Sequence, residues 1–204
     1  MSESSRDAIL SRLRAAVPEP LPLPSLDDMS RWQTFEDPAA QFESVLTSVG
    51  GTYFRVGSVE DAHRELTQLA AWQDAKVTVS HVSGVGSSSL DEDQISDPHD
   101  LENIDFAVLN GHIAVAENGA VWVTDAHTPH RVIYFIPQHV ALVVPANGLV
   151  HNMHEAYQHI TPADHTFGAF ISGPSKTADI EQSLVIGAHG ARSLSVFLVD
   201  DLDR

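Results

Sequence analysis

Helix-like segments alternate along the chain with short runs of apolar and β-branched residues, and this alternation constrains the fold more than any other sequence feature. Strands separated by helices favour a parallel sheet with helices on both faces. We therefore predict an α/β fold with an open, mostly parallel sheet flanked by helices. Its strands are expected near residues 77–82, 104–109, 139–144, 167–171 and 194–199. Helices are predicted at residues 37–49, from Ser58 onward, at 148–159 and at 177–188, and a further strand at 52–56.

One pair of predicted strands, residues 113–116 and 121–124, indicates a hairpin, because the Asn118-Gly119 pair between them suits a tight turn. Glu117 precedes that pair. A partly buried carboxylate at this point could act as a nucleophile or general base. The alternative is a turn carboxylate that only bonds nearby backbone N–H groups.

The N-terminal segment is expected to be separate from this fold. Ile9, Leu13 and Val17 recur at helical spacing, and the alternating prolines of residues 18–24 cannot continue a helix. We predict an N-terminal helix with a proline-rich arm over residues 1–24 and an α/β domain over residues 25–204.

The charge and the cysteine count exclude several classes of function. The 204 residues carry a formal charge of −17, and no Lys or Arg occurs from Val77 to His130. Nucleic-acid binding requires a basic footprint, which is missing here. Without cysteine the chain has no disulfide, no thiolate nucleophile and no ligands for a cysteine-bound iron–sulfur cluster. No apolar leader-like stretch follows Met1, and residues 140–144 are too few to span a bilayer, so we expect a cytoplasmic protein with no membrane insertion.

A second candidate site follows the predicted strand at 167–171. A helix predicted to start near Thr177 would expose unpaired N–H groups that attract an anion. Lys176, one of two lysines in the chain, would add a positive charge. The candidate ligand-binding residues of this turn are Ser172, Gly173, Ser175, Lys176 and Thr177. The alternative is ordinary capping of that helix, with Asp179 and Glu181 satisfying its dipole.

Two other polar stretches are weaker candidates. The Gly-Ser-rich residues 84–89 lack a dinucleotide fingerprint and favour a mobile surface loop. Seven of the twelve histidines fall between His127 and His165, with two His-x-x-His spacings that could bring imidazoles together. No acidic or cysteine pattern completes a metal motif, so we expect solvated or capping histidines and no metal site.

The C-terminal half resembles the LUD domain of the lactate-utilisation protein C family. The resemblance covers roughly residues 100–200 and rests on four blocks: 106–123, 136–144, 171–181 (ISGPSKTADIE) and 184–199. It implies the fold class shared by sugar-phosphate isomerases and CoA transferases (NagB/RpiA-like). It also implies a role in oxidising lactate to pyruvate beside two partner subunits that carry iron–sulfur clusters, with no cofactor in this chain.

Two positions depart from the family pattern. Asn118 stands where members have Thr or Ser, and Ala191 stands where many have Pro. The resulting Glu-Asn-Gly resembles the catalytic glutamate motif of class I CoA transferases, which adds Asn118 and Gly119 to the candidate ligand-binding residues.

Three functions are therefore open. The first is an accessory, cluster-free subunit of a lactate-oxidising complex, with a small anionic metabolite as candidate ligand. The second is a free-standing enzyme that acts on a CoA ester or phosphorylated metabolite through Glu117, with Lys176 holding the anion. The third is an acidic interaction or regulatory module. For the first two, we expect Glu117 and the 172–177 turn to line one cleft.

Overall fold

The computed structural model of the chain consists of two units. The first ends at Arg31 and the second begins at Trp32. The described ranges are 4–18, 21–22, 24–25, 28–126, 128–161, 166–178, 184–187 and 189–202. The first unit contains helix α1 (Ser5–Ala15), whose N-terminus is capped by the Ser4 side chain, which accepts a hydrogen bond from the Asp7 N–H. None of the helices in the described ranges is both long and apolar enough to cross a membrane.

The second unit is built on a parallel sheet of five strands among the described residues, in the order β1-β11-β6-β3-β2. The strands are β1 (Thr52–Val56), β2 (Thr78–Ser80), β3 (Phe106–Asn110), β6 (His139–Pro145) and β11 (Ser193–Val199). The central strands β6 and β11 are buried on both faces from their second residue onward. Such continuous apolar strands require cover on both sides of the sheet.

Helices cover one face of this sheet. Helix α3 (Val59–Gln68), followed by α4 (Ala70–Gln73), packs through buried Ala62 and Leu66 against Val143 and Phe197 of the central strands. The Ser58 hydroxyl caps α3 by accepting from the Asp61 N–H, as its sequence position predicts.

Helix α2 (Pro38–Ser48) and a second sheet cover the opposite face. That sheet has the order β7-β4-β5-β8, with β4 (Ile113–Val115), β5 (Ala120–Thr124), β7 (Leu149–Val150) and β8 (Gly168–Ile171). Helix α5 (Met153–Gln158) packs on its outer side. The β4–β5 pair is the hairpin predicted from the Asn-Gly turn, and Gly119 adopts a φ of 65° there.

The predicted α/β fold with an open, mostly parallel sheet flanked by helices is confirmed, with one strand misplaced. Strand β8, expected in the parallel sheet, instead pairs antiparallel with β5 in the second sheet. The fifth strand of the parallel sheet is instead β1, which pairs with β11 at the edge of the sheet. Apolar periodicity identifies a strand but does not say which sheet receives it.

The helix predicted over 177–188 is wrong. Two short antiparallel strands occupy its described part, β9 (Lys176–Ala178) and β10 (Leu184–Ile186), with Thr177 opposite Val185. The β-branched side chains of Thr177, Val185 and Ile186 fit a strand better than a helix. Residues 179–183 and 188 lie outside the described residues. The helix predicted over 148–159 is shorter than expected, because β7 takes its start and the Asn152 side chain caps α5.

The Gly-Ser-rich segment after β2 protects an edge of the parallel sheet. The Ser89 and Ser88 hydroxyl oxygens accept hydrogen bonds from the backbone N–H groups of Thr78 and Ser80, both at 2.9 Å. Strand β2 is the edge strand, so these N–H groups would otherwise lack a partner in the sheet. The segment predicted as a mobile surface loop is therefore bonded to the sheet.

We predict that Ser89→Ala lowers the free energy of unfolding by about 1 kcal/mol, because the N–H of the buried Thr78 loses its acceptor. Ser87→Ala is the matched control, since Ser87 contributes its carbonyl oxygen, not its side chain, to the Thr78 hydroxyl. Urea unfolding of the two variants measures the difference. Equal unfolding midpoints would show that the Ser89 hydroxyl does not stabilise the edge.

Candidate functional site

A cleft of about 230 Å³ opens where three turns meet beside the first residues of β6 and β11. The turn at 172–175 forms one side, the turn at 189–191 another, and Tyr134 and Phe135 a third, while Val140 and Leu194 form the floor. Because Val140 and Leu194 are the second residues of their strands, the cleft lies at the amino edge of the parallel sheet.

Backbone hydrogen bonds fix the first two turns against each other. The Ser175 N–H donates to the Ala191 carbonyl oxygen at 2.8 Å, and the Gly187 N–H donates to the Ser175 carbonyl oxygen at 2.9 Å. Gly190 permits this approach, because a Cβ on it would lie 2.9 Å from the Ser175 Cβ. The Ser175 backbone is therefore held against the 189–191 turn at the side of the cleft.

The third side is aromatic. The buried Tyr134 hydroxyl donates to the Thr124 carbonyl oxygen at 3.0 Å, and burial raises the pKa of Tyr134, so the phenol stays protonated. Phe135 is 43% exposed at the mouth, and its ring centroid lies 6.1 Å from that of Phe167. This wall offers apolar surface to a ligand.

Three residues with polar side chains, Ser172, Ser175 and His189, also line the cleft, and of these Ser172 donates its hydroxyl proton to the Asn118 carbonyl oxygen. Hydroxyl and imidazole groups can donate hydrogen bonds to a carboxylate or phosphate oxygen. The arrangement therefore fits a small ligand with one anionic and one apolar end. No group of three or more His, Asp or Glu side chains that could hold a metal occurs in the described part of the chain.

The turn at 117–119 adjoins the 172–175 turn. The Ser172 hydroxyl donates to the Asn118 carbonyl oxygen at 2.9 Å. Both turns lie against α2: a Cβ on Gly119 would stand 2.9 Å from the Leu46 nitrogen, and one on Gly173 would stand 2.8 Å from the Val49 oxygen. The structure thus brings the two sequence-predicted segments together.

Glu117, Asn118 and Gly119 nevertheless lie outside the lining of the cleft. The Glu117 N–H donates to the His151 carbonyl oxygen at 3.1 Å, and its half-buried carboxylate has no hydrogen-bond partner within the described residues. The Asn118 side chain accepts from the Ala120 N–H and closes the turn. A catalytic role for Glu117 and a ligand-binding role for the other two residues stay predictions.

Of the second candidate set, Ser172, Gly173 and Ser175 line the cleft, whereas the exposed Lys176 and the partly buried Thr177 belong to β9. The reasons given for that set were wrong in two respects. No helix begins at this turn, so a helix N-terminus supplies no N–H groups there. The turn also follows an antiparallel strand and lies at the amino edge of the sheet, not after the carboxyl end of a parallel strand.

Tyr134, Phe135, His189 and Gly190 are among the lining residues that were not predicted as site residues. Tyr134 is buried in the core, whereas Phe135 is partly exposed. His189 and Gly190 occur in the Gly-Ala-His-Gly block, whose two glycines and histidine were the available signal. The histidine pair at 151 and 154 serves the fold, since His151 Nδ1 accepts from the Phe35 N–H and His154 stacks on Trp32 with centroids 3.4 Å apart.

Comparison with known proteins shows the family to which the chain belongs. The model of the LUD domain matches residues 90–199, more than half of the chain. Lactate utilization protein C of Shouchella clausii is 31% identical over 146 residues, covering 65% of this chain and 62% of that protein. Lactate utilization protein C of Geobacillus thermodenitrificans is 32% identical over 135 residues, covering 62% of this chain and 53% of that protein. The chain therefore spans less than two thirds of the length of these relatives.

A solved structure shares the fold. The crystal structure of a DUF162 family protein from Deinococcus radiodurans matches with a TM-score of 0.60 and 18% identity, covering 79% of this chain and 96% of that one. At this identity the likeness concerns the fold alone. It is consistent with the NagB/RpiA-like fold expected from the sequence.

We predict that Gly119→Ala lowers the free energy of unfolding by about 2 kcal/mol, because the residue has a positive φ and its Cβ would press on the backbone of α2. Gly57→Ala is the control, since Gly57 has no positive φ and its Cβ would meet only the end of the Asp61 side chain, at 3.3 Å. Urea unfolding compares them. A Gly119→Ala midpoint equal to that of Gly57→Ala would contradict the close packing of this turn on α2.

Proposed function

The chain belongs to the LUD domain family, and from this membership we propose that it acts in lactate utilisation as an accessory subunit without an iron–sulfur cluster of its own. The observation that carries the proposal is the match to two relatives named lactate utilization protein C at 31% and 32% identity. The match covers the part of the chain that forms the cleft, including both of the turns at 172–175 and 189–191.

The chemistry of lactate oxidation supports a division of labour. Conversion of lactate to pyruvate removes two electrons and two protons, and protein side chains need a cofactor to carry the electrons. The chain has no cysteine to bind a cluster and no G-x-G-x-x-G dinucleotide fingerprint. We therefore assign the electron carriers to iron–sulfur partner subunits.

We further propose that the cleft binds a small hydroxy or keto acid such as L-lactate or pyruvate. The carboxylate would accept hydrogen bonds from Ser175 and His189, which both line the cleft, whereas the single proton of the Ser172 hydroxyl is already donated to the Asn118 carbonyl oxygen. The methyl group would contact the apolar floor of Val140 and Leu194. Ser175 is the strongest anchor, because two backbone hydrogen bonds hold its position.

A second candidate function rests on Glu117. Its half-buried carboxylate has no hydrogen-bond partner among the described residues, and the next residue, Asn118, accepts a hydrogen bond from Ser172 of the 172–175 turn. Such a group could attack a CoA ester or an acyl phosphate, with Lys176 near the anion. This candidate predicts turnover by the isolated chain, which the accessory-subunit proposal does not.

We predict that deletion of the gene in its native host abolishes growth on L-lactate and leaves growth on glucose unchanged. Affinity purification of the tagged chain should bring down iron-containing subunits, and lactate-dependent dye reduction should occur in that complex and not in the isolated chain. Normal growth of the deletion strain on lactate would contradict the proposed role. Turnover of a CoA ester by the isolated chain, lost in Glu117→Gln, would favour the second candidate.

For the cleft, we predict that Ser175→Ala weakens binding of pyruvate to the full chain about tenfold, because a hydrogen bond to a charged group is lost. An NMR titration of the isotope-labelled chain measures the dissociation constant. Ser87→Ala, whose hydroxyl lies on the loop beside β2, controls for removal of a serine elsewhere. Pyruvate binding that is unaffected by Ser175→Ala would place the ligand outside this cleft.

A further inference from the structure

A second hollow, of about 510 Å³, lies at the amino edge of the parallel sheet, bordered by α4 and by the segments that enter β3, β6 and β11. It shares no lining residue with the cleft described above. Its walls are almost entirely polar. The polar side chains that line it are Asp74, Glu102, Asn103, Asp105, Gln138, His139 and Arg192.

The order of the strands places the positive Arg192 and the negative Asp105 of this hollow apart from each other. Arg192 precedes β11, His139 begins β6 and Asp105 precedes β3, and these three strands are neighbours in the order β11-β6-β3. In the sheet, His139 lies between Ser193 of β11 and Phe106 of β3, the residues that directly follow Arg192 and Asp105. With neighbouring strands about 4.8 Å apart, the backbones at Arg192 and Asp105 are about 10 Å apart.

The remaining carboxylates lie at the Asp105 end. Glu102 belongs to the segment that enters β3, and Asp74 lies just before Lys76, whose N–H donates to the Asp105 carboxylate at 2.8 Å. Two backbone N–H groups, of Val77 and Lys76, lower the pKa of Asp105 and keep it ionised. This end of the hollow is therefore negative.

Arg192 provides the positive end. Its backbone N–H donates to the Gln138 carbonyl oxygen at 2.8 Å, and the start of its side chain lies on Gly187, where a Cβ would overlap it. Among the described residues no carboxylate forms an ion pair with Arg192. The guanidinium is therefore available to a carboxylate from outside the chain.

An uncharged centre separates the two ends. Burial, and then the nearby Arg192, lower the pKa of His139, so that its imidazole is neutral at pH 7. His139 Nδ1 lies 2.8 Å from the Ser193 hydroxyl, which fixes the ring. The amide of Gln138 is also uncharged, so the hollow has a cation at one end, neutral polar groups in the middle and carboxylates at the other.

We propose that this hollow, defined by Arg192 at one end and Asp74, Glu102 and Asp105 at the other, binds a zwitterionic linear amino acid. Arg192 would receive the carboxylate, and the acidic end would accept hydrogen bonds from the ammonium group. A simple anion is disfavoured because three carboxylates outweigh one arginine. A simple cation leaves Arg192 without a partner. The site is independent of the proposed lactate function.

The test is a calorimetric titration of the full chain with 6-aminohexanoate, whose two charges are separated by a five-carbon chain. We expect binding, and affinities at least tenfold lower for hexanoate and hexylamine, which each lack one charge. Arg192→Gln and Glu102→Gln should each weaken 6-aminohexanoate binding about tenfold. The control is Arg64→Gln, since Arg64 lies on α3 and pairs with Asp61.

Thermal unfolding of each variant establishes that it is folded, which separates loss of the site from loss of the fold. Arg192→Lys should retain part of the affinity, because it keeps the charge and loses the two-pronged geometry. Equal binding of hexanoate or hexylamine, or unchanged binding by Arg192→Gln, would overturn the proposal. The proposal would also be overturned if the chain bound pyruvate at Arg192 and did not bind 6-aminohexanoate there.

Discussion

Burial of the two central strands on both faces is the constraint on which the remaining structure depends. From Val140 and Leu194 onward, β6 and β11 expose almost no side-chain surface. A sheet of this kind is stable only when each face is covered by apolar groups. One face receives α3 and α4, and the other receives α2 together with the second sheet. The cleft exists because the turn after β8 and the turn before β11 meet at the edge of that cover.

The same constraint explains how much of the fold could be predicted from the sequence. Strands β3, β6 and β11 are continuous apolar runs, and the Asn-Gly turn gives the β4–β5 hairpin, so these elements were identified correctly. Strand β8 is four residues long and could not be assigned to a sheet by its pattern alone. The hairpin of β9 and β10 was mistaken for a helix, because capping residues were given more weight than the β-branched Thr177 and Val185.

The sequence correctly indicated three residues of the candidate site, but the structural arrangement expected around them was wrong. Ser172, Gly173 and Ser175 line the cleft, although neither a helix N-terminus nor a parallel strand places them there. The adjoining turn at 117–119 contacts Ser172, an arrangement that depends on both turns packing against α2. Apart from the Gly-Ala-His-Gly block, the sequence does not indicate that His189 and Phe135 line the cleft, because this depends on tertiary proximity between segments more than fifty residues apart.

Open α/β sheets usually bind ligands at the carboxyl ends of their strands. Here the loop after β2 occupies part of that edge: its serine hydroxyls bond the β2 backbone, and the buried carboxylate of Glu92 contacts the imidazole of His81 directly after the strand. Asn110, at the carboxyl end of β3, donates its side-chain N–H to the His81 carbonyl oxygen at 3.0 Å. Two atoms of the pair, His81 Nδ1 and Glu92 Oε1, are buried without a hydrogen-bond partner in the described part of the chain, and a depression of about 400 Å³ opens beside them. At the amino edge, Ser175, His189 and Arg192 line two separate depressions. The two depressions for which we propose ligands lie at the amino edge, whereas the usual rule for α/β sheets points to the carboxyl edge.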